Sequence, residues 1–264
     1  MSVDFVFIDS GTGGIPYMKD LKKKCSNASC VYLGDTAHFP YGEKTSSEII
    51  ECASNVVGKV IRQWSPKAVV IACNTMSVTA LDVLRERYPA IKIVGTVPAI
   101  RLAAKESKNR HIGLLATNAT VNHSYTQKLI SDFASDCIVE KRGDKELIAF
   151  IEHSLFTATE EQKRKAVKPS IDFFREKGCD TIVLGCTHFT HIADVVQKEA
   201  GEAITVIDSR NGVSNRALDV VGTCDFCKNS DDNTFFVTAL QNSNDETEYK
   251  NLCAYFNIEW GGVI

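Results

Sequence analysis

The sequence predicts an α/β fold: two doubly wound, mostly parallel-sheet domains related by a pseudo-two-fold axis, with the active site in the cleft between them. Three observations predict it. Short apolar runs alternate with helix-like segments along most of the chain. The stretch "VFIDSGTGGIPYMKDL" near the start returns as "GLLATNATVNHSYTQKL" in the middle, each reading as strand, polar turn, helix. The fragment "VVIACNTMSV" around Cys73 is matched by "IVLGCTHFTH" around Cys186. Laid on one another, Ser10 falls opposite Thr117 and Cys73 opposite Cys186, so each half presents a hydroxyl turn and a cysteine turn.

Taken in order, the strands are expected at Val3–Ile8, Cys30–Leu33, Ala68–Ala72, Lys92–Val97, His111–Ala116, Thr181–Leu184 and Ile204–Ile207. Each is a short, mostly apolar run, the pattern of a strand buried on both faces. Helices are expected at Ser46–Trp64 and Val78–Tyr88, among others. The basic run Lys19–Cys25 reads as the solvated end of a helix. Open parallel sheets bind ligands beyond the carboxyl ends of their strands, so chemistry is expected in the turn after each strand.

Composition narrows the class of function. Of 264 residues, 44% are hydrophobic and 24% charged, as in a globular protein. The net charge of -3, without a basic block interleaved with aromatics, argues against a nucleic-acid partner. No run is apolar enough to span a bilayer, and the start lacks the pattern of an export signal, so no membrane partner and a cytoplasmic location are expected. The ten cysteines are irregularly spaced and are expected to be free thiols. The CxxC of Cys224 and Cys227 has no second pair at ligand-like distance; it reads as incidental, with metal or redox use as the alternative.

A cysteine between a strand and a helix sits at the positive end of the helix dipole, which stabilises a thiolate. Cys73 and Cys186 therefore read as bases or nucleophiles. Asp9 and Ser10 leave the first strand together above a glycine-rich turn lacking the P-loop ending and the Rossmann spacing. Asp35, Pro40, Tyr41 and Gly42 lie in the long turn after the second strand, again on the ligand side. His188 could share a proton with Cys186, whereas the other five histidines read as surface or packing residues. No pyridoxal-phosphate, flavin, nicotinamide or metal signature appears, so cofactor-free chemistry is expected.

At these residues the chain resembles the glutamate racemases of the aspartate/glutamate racemase superfamily. The resemblance rests on "DSGTGG" at Asp9–Gly14, "GDTAHFPYG" at Gly34–Gly42, "ACNT" at Ala72–Thr75 and "GCTH" at Gly185–His188. Weaker matches are "ATNATV" at Ala116–Val121, "FIEHS" at Phe150–Ser154 and "IDS" at Ile207–Ser209. It implies one domain of residues 1–98 plus 209–264 carrying Cys73, and a second of residues 99–208 carrying Cys186. It implies interconversion of L- and D-glutamate for peptidoglycan synthesis by a homodimer. Cys73 would act on the D-isomer assisted by Asp9, and Cys186 on the L-isomer assisted by His188. Asp35 and Glu152 would be supporting carboxylates. Ser10, Tyr41, Gly42, Asn74, Thr75, Thr117, Thr120 and Thr187 match substrate-binding positions. A relative acting on aspartate, a redox disulfide between the two cysteines and a non-catalytic amino-acid receptor are the alternatives.

Overall fold

A computed structural model describes residues 2–222, 226 and 233–264; Cys224 and Cys227 lie outside the described residues. The chain forms two compact units, Met1–Thr96 with Arg210–Ile264, and Val97–Ser209. The first begins β1 (Phe5–Asp9), α1 (Ile15–Lys24), β2 (Cys30–Gly34), α2 (Ser46–Trp64), β3 (Ala68–Ile71), α3 (Asn74–Arg87) and β4 (Lys92–Gly95). The second holds α4 (Ile100–Glu106), β5 (His111–Ala116), α5 (Asn118–Asn122), α6 (Ser124–Phe133), β6 (Ile138–Gly143) and α7 (Lys145–His153). It continues with α8 (Glu160–Glu176), β7 (Thr181–Leu184), α9 (Ala193–Ala200) and β8 (Thr205–Ile207). The chain then returns to the first unit with α10 (Arg210–Val221), β9 (Thr234–Val237), α11 (Asp245–Phe256) and β10 (Glu259–Val263).

Among the described residues every strand pairing is parallel. The first sheet runs β10-β9-β2-β1-β3-β4 and the second β6-β5-β7-β8. The order β2-β1-β3-β4 is thus repeated as β6-β5-β7-β8. In both units the first strand is central, and the third, which leads to a cysteine, lies beside it. The first sheet is widened by β9 and β10, supplied after the chain returns.

Alternation along the strands divides the first unit's core between the two faces of its sheet. Val6, Ile8, Val31, Leu33, Val69 and Ile71 face α2 and α3, packing with Val57, Val60, Trp64, Met76 and Leu84. Phe5, Phe7, Tyr32 and Val70 face the other way, onto Ile15, Met18 and Leu21 of α1, Val213 and Ala217 of α10, and Leu252 of α11. Burial on both faces explains why these strands read as unbroken apolar runs.

The helix α2 shows how local chemistry sets an element's ends. Thr45 and Glu48 form a reciprocal capping box at its start. Ile49, Ala53, Val56, Val57, Val60 and Trp64 recur at helical spacing and are buried. Ser65 in the left-handed region (φ 41°) ends it, and Pro66 follows.

The structure corrects several expectations. Strands β6, β9 and β10 are additional to those expected, and α3 starts at Asn74 rather than Val78. After Cys186 the backbone enters a 3-10 turn, Thr187–Ile192, and α-helix begins only at Ala193. The eight described cysteines are free thiols. Among the described residues, no helix is long and apolar enough to cross a membrane, and no cluster of His, Cys, Asp and Glu could hold a metal ion.

The turn after β1 has one position where only glycine fits. A Cβ on Gly14 would lie 2.6 Å from Ala72 Cβ and 2.8 Å from Ala72 O, the residue before Cys73. Replacing Gly14 by alanine is expected to lower the unfolding free energy by about 1–3 kcal/mol in urea melts, the usual cost of forcing a methyl into a packed site. An unchanged midpoint would contradict this close approach.

Candidate active site

In a parallel sheet the strands finish at one edge, and in the first unit this gathers three turns. The N–H of Asp35 donates to Asp9 O (2.7 Å), and that of Ala72 to Ile8 O (2.7 Å). These bonds carry the ladder past the ends of β2 and β3, so Asp35 and Cys73 emerge on either side of Asp9. Tyr32 of β2 braces the glycine turn: its hydroxyl donates to Gly11 O (2.9 Å) and accepts from Gly14 N–H (2.9 Å). Tyr32 was not expected as a site-forming residue, because within β2 it reads as one more core side chain.

Cys73 is the N-cap of α3 and is buried. Its thiol lies 3.9 Å from Ser10 Oγ, to which it donates. Ser10 in turn donates from its N–H (2.5 Å) and its hydroxyl (3.2 Å) to Asp9 Oδ1. Asp9, Asn74 and Thr75 are all buried beside it. Neither Oδ1 nor Nδ2 of Asn74 has a hydrogen-bond partner among the described residues. Leaving such groups buried and unpaired costs about 1–3 kcal/mol each, which is tolerated where a ligand's polar groups complete them.

Asp35 is wholly buried and accepts from three side chains. Tyr41 Oη donates to Oδ2 (2.5 Å), Thr238 Oγ1 to Oδ1 (2.8 Å), and His38 Nδ1 lies 2.9–3.0 Å from both oxygens. His38 lies at the surface, as expected, but its ring also reaches in to the buried Asp35, a contact the sequence reading did not anticipate. Tyr41 opens the 3-10 turn Tyr41–Glu43, which includes Gly42, and shares a buried cluster with Cys73. Burial, and then the charge and hydrogen bond of Asp35, push the Tyr41 phenol well above its usual range, so it stays protonated.

The second unit repeats the arrangement with other chemistry. Gly185 N–H donates to Leu115 O (2.7 Å) and Asp144 N–H to Ala116 O (3.1 Å), prolonging β7 and β6 beside β5. Thr117 follows β5 and caps α5, accepting from Thr120 N–H (3.0 Å) and donating to Thr120 Oγ1 (3.0 Å). Cys186 follows β7 and is buried with Thr187 and His188.

The Cys186 thiol is 3.7 Å from His188 Nδ1, and His188 Nε2 is 2.7 Å from Glu152 Oε2. Glu152 comes from α7, whose first turn is fixed by Asp144 accepting from Leu147 N–H (2.9 Å) and from Ser170 Oγ (2.6 Å). Burial alone would lower the His188 pKa. Hydrogen bonds to Cys186 and Glu152, with their charges, outweigh it and hold His188 well above its usual value. A protonated imidazole there donates to the Glu152 carboxylate and can share a proton with the Cys186 sulfur.

The expected residues thus fall into two groups. Asp9, Ser10, Asp35, Tyr41, Gly42, Cys73, Asn74 and Thr75 belong to the first unit. Thr117, Thr120, Glu152, Cys186, Thr187 and His188 belong to the second.

Residues 12–211 match the Asp/Glu/Hydantoin racemase family. A glutamate racemase of Treponema pallidum (strain Nichols) is 38% identical over 260 residues, covering 98% of this chain and 96% of that protein. One from Shewanella piezotolerans (strain WP3 / JCM 13877) is 42% identical over 223 residues, 84% of this chain and 81% of its own length. Among solved structures, Escherichia coli glutamate racemase, in complex with L-glutamate and the activator UDP-MurNAc-ala, superposes with a TM-score of 0.87. It is 30% identical, and the match covers 99% of this chain and 98% of that one.

The His188–Glu152 pair carries a pH prediction. His188 is raised in the folded state, so its imidazolium stabilises the fold fully below the unfolded value of about 6.5. That stability is lost as pH rises through the raised value. Glu152→Gln is expected to lower the His188 pKa, read by NMR titration, and to flatten the stability change on the alkaline side. A His188 titration unchanged by the substitution would contradict the assignment.

Proposed function

The chain belongs to the Asp/Glu/Hydantoin racemase family, and on that premise we propose that it interconverts L- and D-glutamate by a two-thiol proton transfer. The observation that carries the reading is the pair of buried cysteines at matching strand ends, in a chain whose relatives are glutamate racemases. The product serves peptidoglycan synthesis as the source of D-glutamate. The proposal includes a homodimer acting in the cytoplasm.

In this mechanism the thiolate of Cys73 takes the α-proton of D-glutamate, and the thiol of Cys186 delivers a proton to the opposite face of the carbanion. L-glutamate runs the same steps in reverse. Asp9 acts on Cys73 through Ser10; His188, held by Glu152, exchanges its proton with Cys186. The α-carbon of an amino acid is a very weak acid, so the carbanion needs help. Asn74, Thr75, Thr117, Thr120 and Thr187 are proposed to hold the substrate, with the unpartnered amide of Asn74 on a carboxylate. Donors fixed before the reaction stabilise charge as it develops. Positioning the bases supplies effective concentrations of about 10⁵–10⁸ M at best, and acid–base catalysis contributes roughly 10²–10⁴-fold.

The test follows racemisation of both enantiomers by circular dichroism with no added cofactor. The wild type is expected to racemise glutamate, and Cys73→Ser or Cys186→Ser to lower kcat/KM by about 10²-fold or more. Full activity in both variants would overturn the two-thiol assignment. Turnover of aspartate but not glutamate would overturn the substrate.

A further inference from the structure

We propose that His38 is a positioning residue for the Cys73 half of the reaction, acting through Asp35 on Tyr41. The inference rests on the racemase reading above and adds a residue outside the substrate-binding and proton-transfer groups named there.

The geometry is that of a carboxylate met only by donors. Asp35 Oδ1 accepts from Thr238 Oγ1 (2.8 Å) and Oδ2 from Tyr41 Oη (2.5 Å), while His38 Nδ1 bridges both oxygens at 2.9–3.0 Å. With acceptors on that side, Nδ1 must carry a proton in either charge state of the ring. Thr238 is itself fixed, accepting from Ala37 N–H (3.0 Å) and donating its own N–H to Gly34 O (3.0 Å). Asp35 is therefore held at the end of β2 by β9's exit turn on one side and the Thr36–His38 turn on the other.

This hold has a consequence for Tyr41. Its single proton is committed to Asp35, so its oxygen can only accept from any other group. Tyr41 is packed in the cluster that contains Cys73, and the direction of its one donor fixes the ring and the turn that continues into Gly42. Removing His38 takes away one of the three donors on Asp35 and lets the carboxylate turn about its Cβ–Cγ bond. The effect falls on the first unit, because every atom of the chain His38–Asp35–Tyr41 belongs to it. The His38 side chain is 44% exposed, against 1% for Asp35, so it can be replaced without opening the core.

The substitutions separate a donor from a packing group. The Nδ2 of asparagine can occupy the place of the imidazole Nδ1, whereas alanine offers no donor. His38→Ala is expected to lower kcat/KM about ten- to a hundredfold, the size of one hydrogen bond to a charged group, and His38→Asn to recover most of that loss. Because enantiomers have equal free energies, kcat/KM must fall equally in the two directions. The asymmetry appears in the isotope effect instead. With α-deuterated substrate, the effect for D-glutamate should rise in His38→Ala and that for L-glutamate should fall, as abstraction by Cys73 becomes more limiting. In the wild type, ¹⁵N NMR of His38 should show a protonated Nδ1, and Asp35→Asn should shift it.

Unchanged kcat/KM in His38→Ala, or a neutral His38 protonated at Nε2, would overturn the role while leaving the racemase reading intact. A wild type that does not racemise glutamate would overturn that reading and this role with it.

Discussion

The ten described strands of this chain all run parallel to their neighbours, and the position of every candidate catalytic group depends on that. Parallel strands hydrogen-bonded in register end together, so residues far apart in sequence leave the sheet side by side. Asp9, Asp35 and Cys73 are brought together by two short backbone bonds, Asp35 N–H to Asp9 O and Ala72 N–H to Ile8 O, both 2.7 Å. Thr117, Asp144 and Cys186 are brought together by their counterparts at Leu115 and Ala116. Without the register, the side chains would have no common edge to share.

On this common frame the two units carry different chemistry. Cys73 meets a hydroxyl and a carboxylate, through Ser10 and Asp9, and caps a full α-helix. Cys186 meets an imidazole backed by Glu152 and precedes only a 3-10 turn. A long helix offers aligned backbone dipoles at its start, and a short turn offers little. In the proposed mechanism the cation of His188 takes at Cys186 the part that the helix start takes at Cys73. Enantiomers have equal free energies, yet the groups that take their protons need not be identical. In the two-thiol proposal each has only to take or give a proton where the substrate's hydrogen arrives.

Much of this was legible in the sequence. The apolar runs marked β1 to β5, β7 and β8, because strands buried on both faces leave few polar residues inside them. Helix α2 was expected at its observed bounds, Ser46–Trp64, and the structure shows why they are sharp: Thr45 caps it and Pro66 follows its end. Strand β6 escaped because it is an edge strand; none of "IVEKRG" is fully buried, and three of its six residues are charged. Strand β10 escaped because "EWGGV" contains two glycines, and a Cβ on Gly261 would strike the ring of Phe236. The network of Asp35, His38 and Tyr41 left one trace, a spacing of three that suits side chains in 3-10 turns. That spacing is too common to single out a histidine. Its partner Thr238 lies 203 residues from Asp35 in sequence, and only the pairing of β9 with β2 joins them.

The most direct measurement of the two-thiol account is the early fate of hydrogen in deuterated water. Start from D-glutamate, stop the reaction at low conversion, and read the α-position of both enantiomers by mass spectrometry. If separate thiols serve the two faces, the L-glutamate formed carries solvent deuterium while the recovered D-glutamate keeps its hydrogen. The reverse experiment from L-glutamate gives the mirror result. Product that retains the substrate's own hydrogen, or substrate labelled as fast as product, would contradict the account.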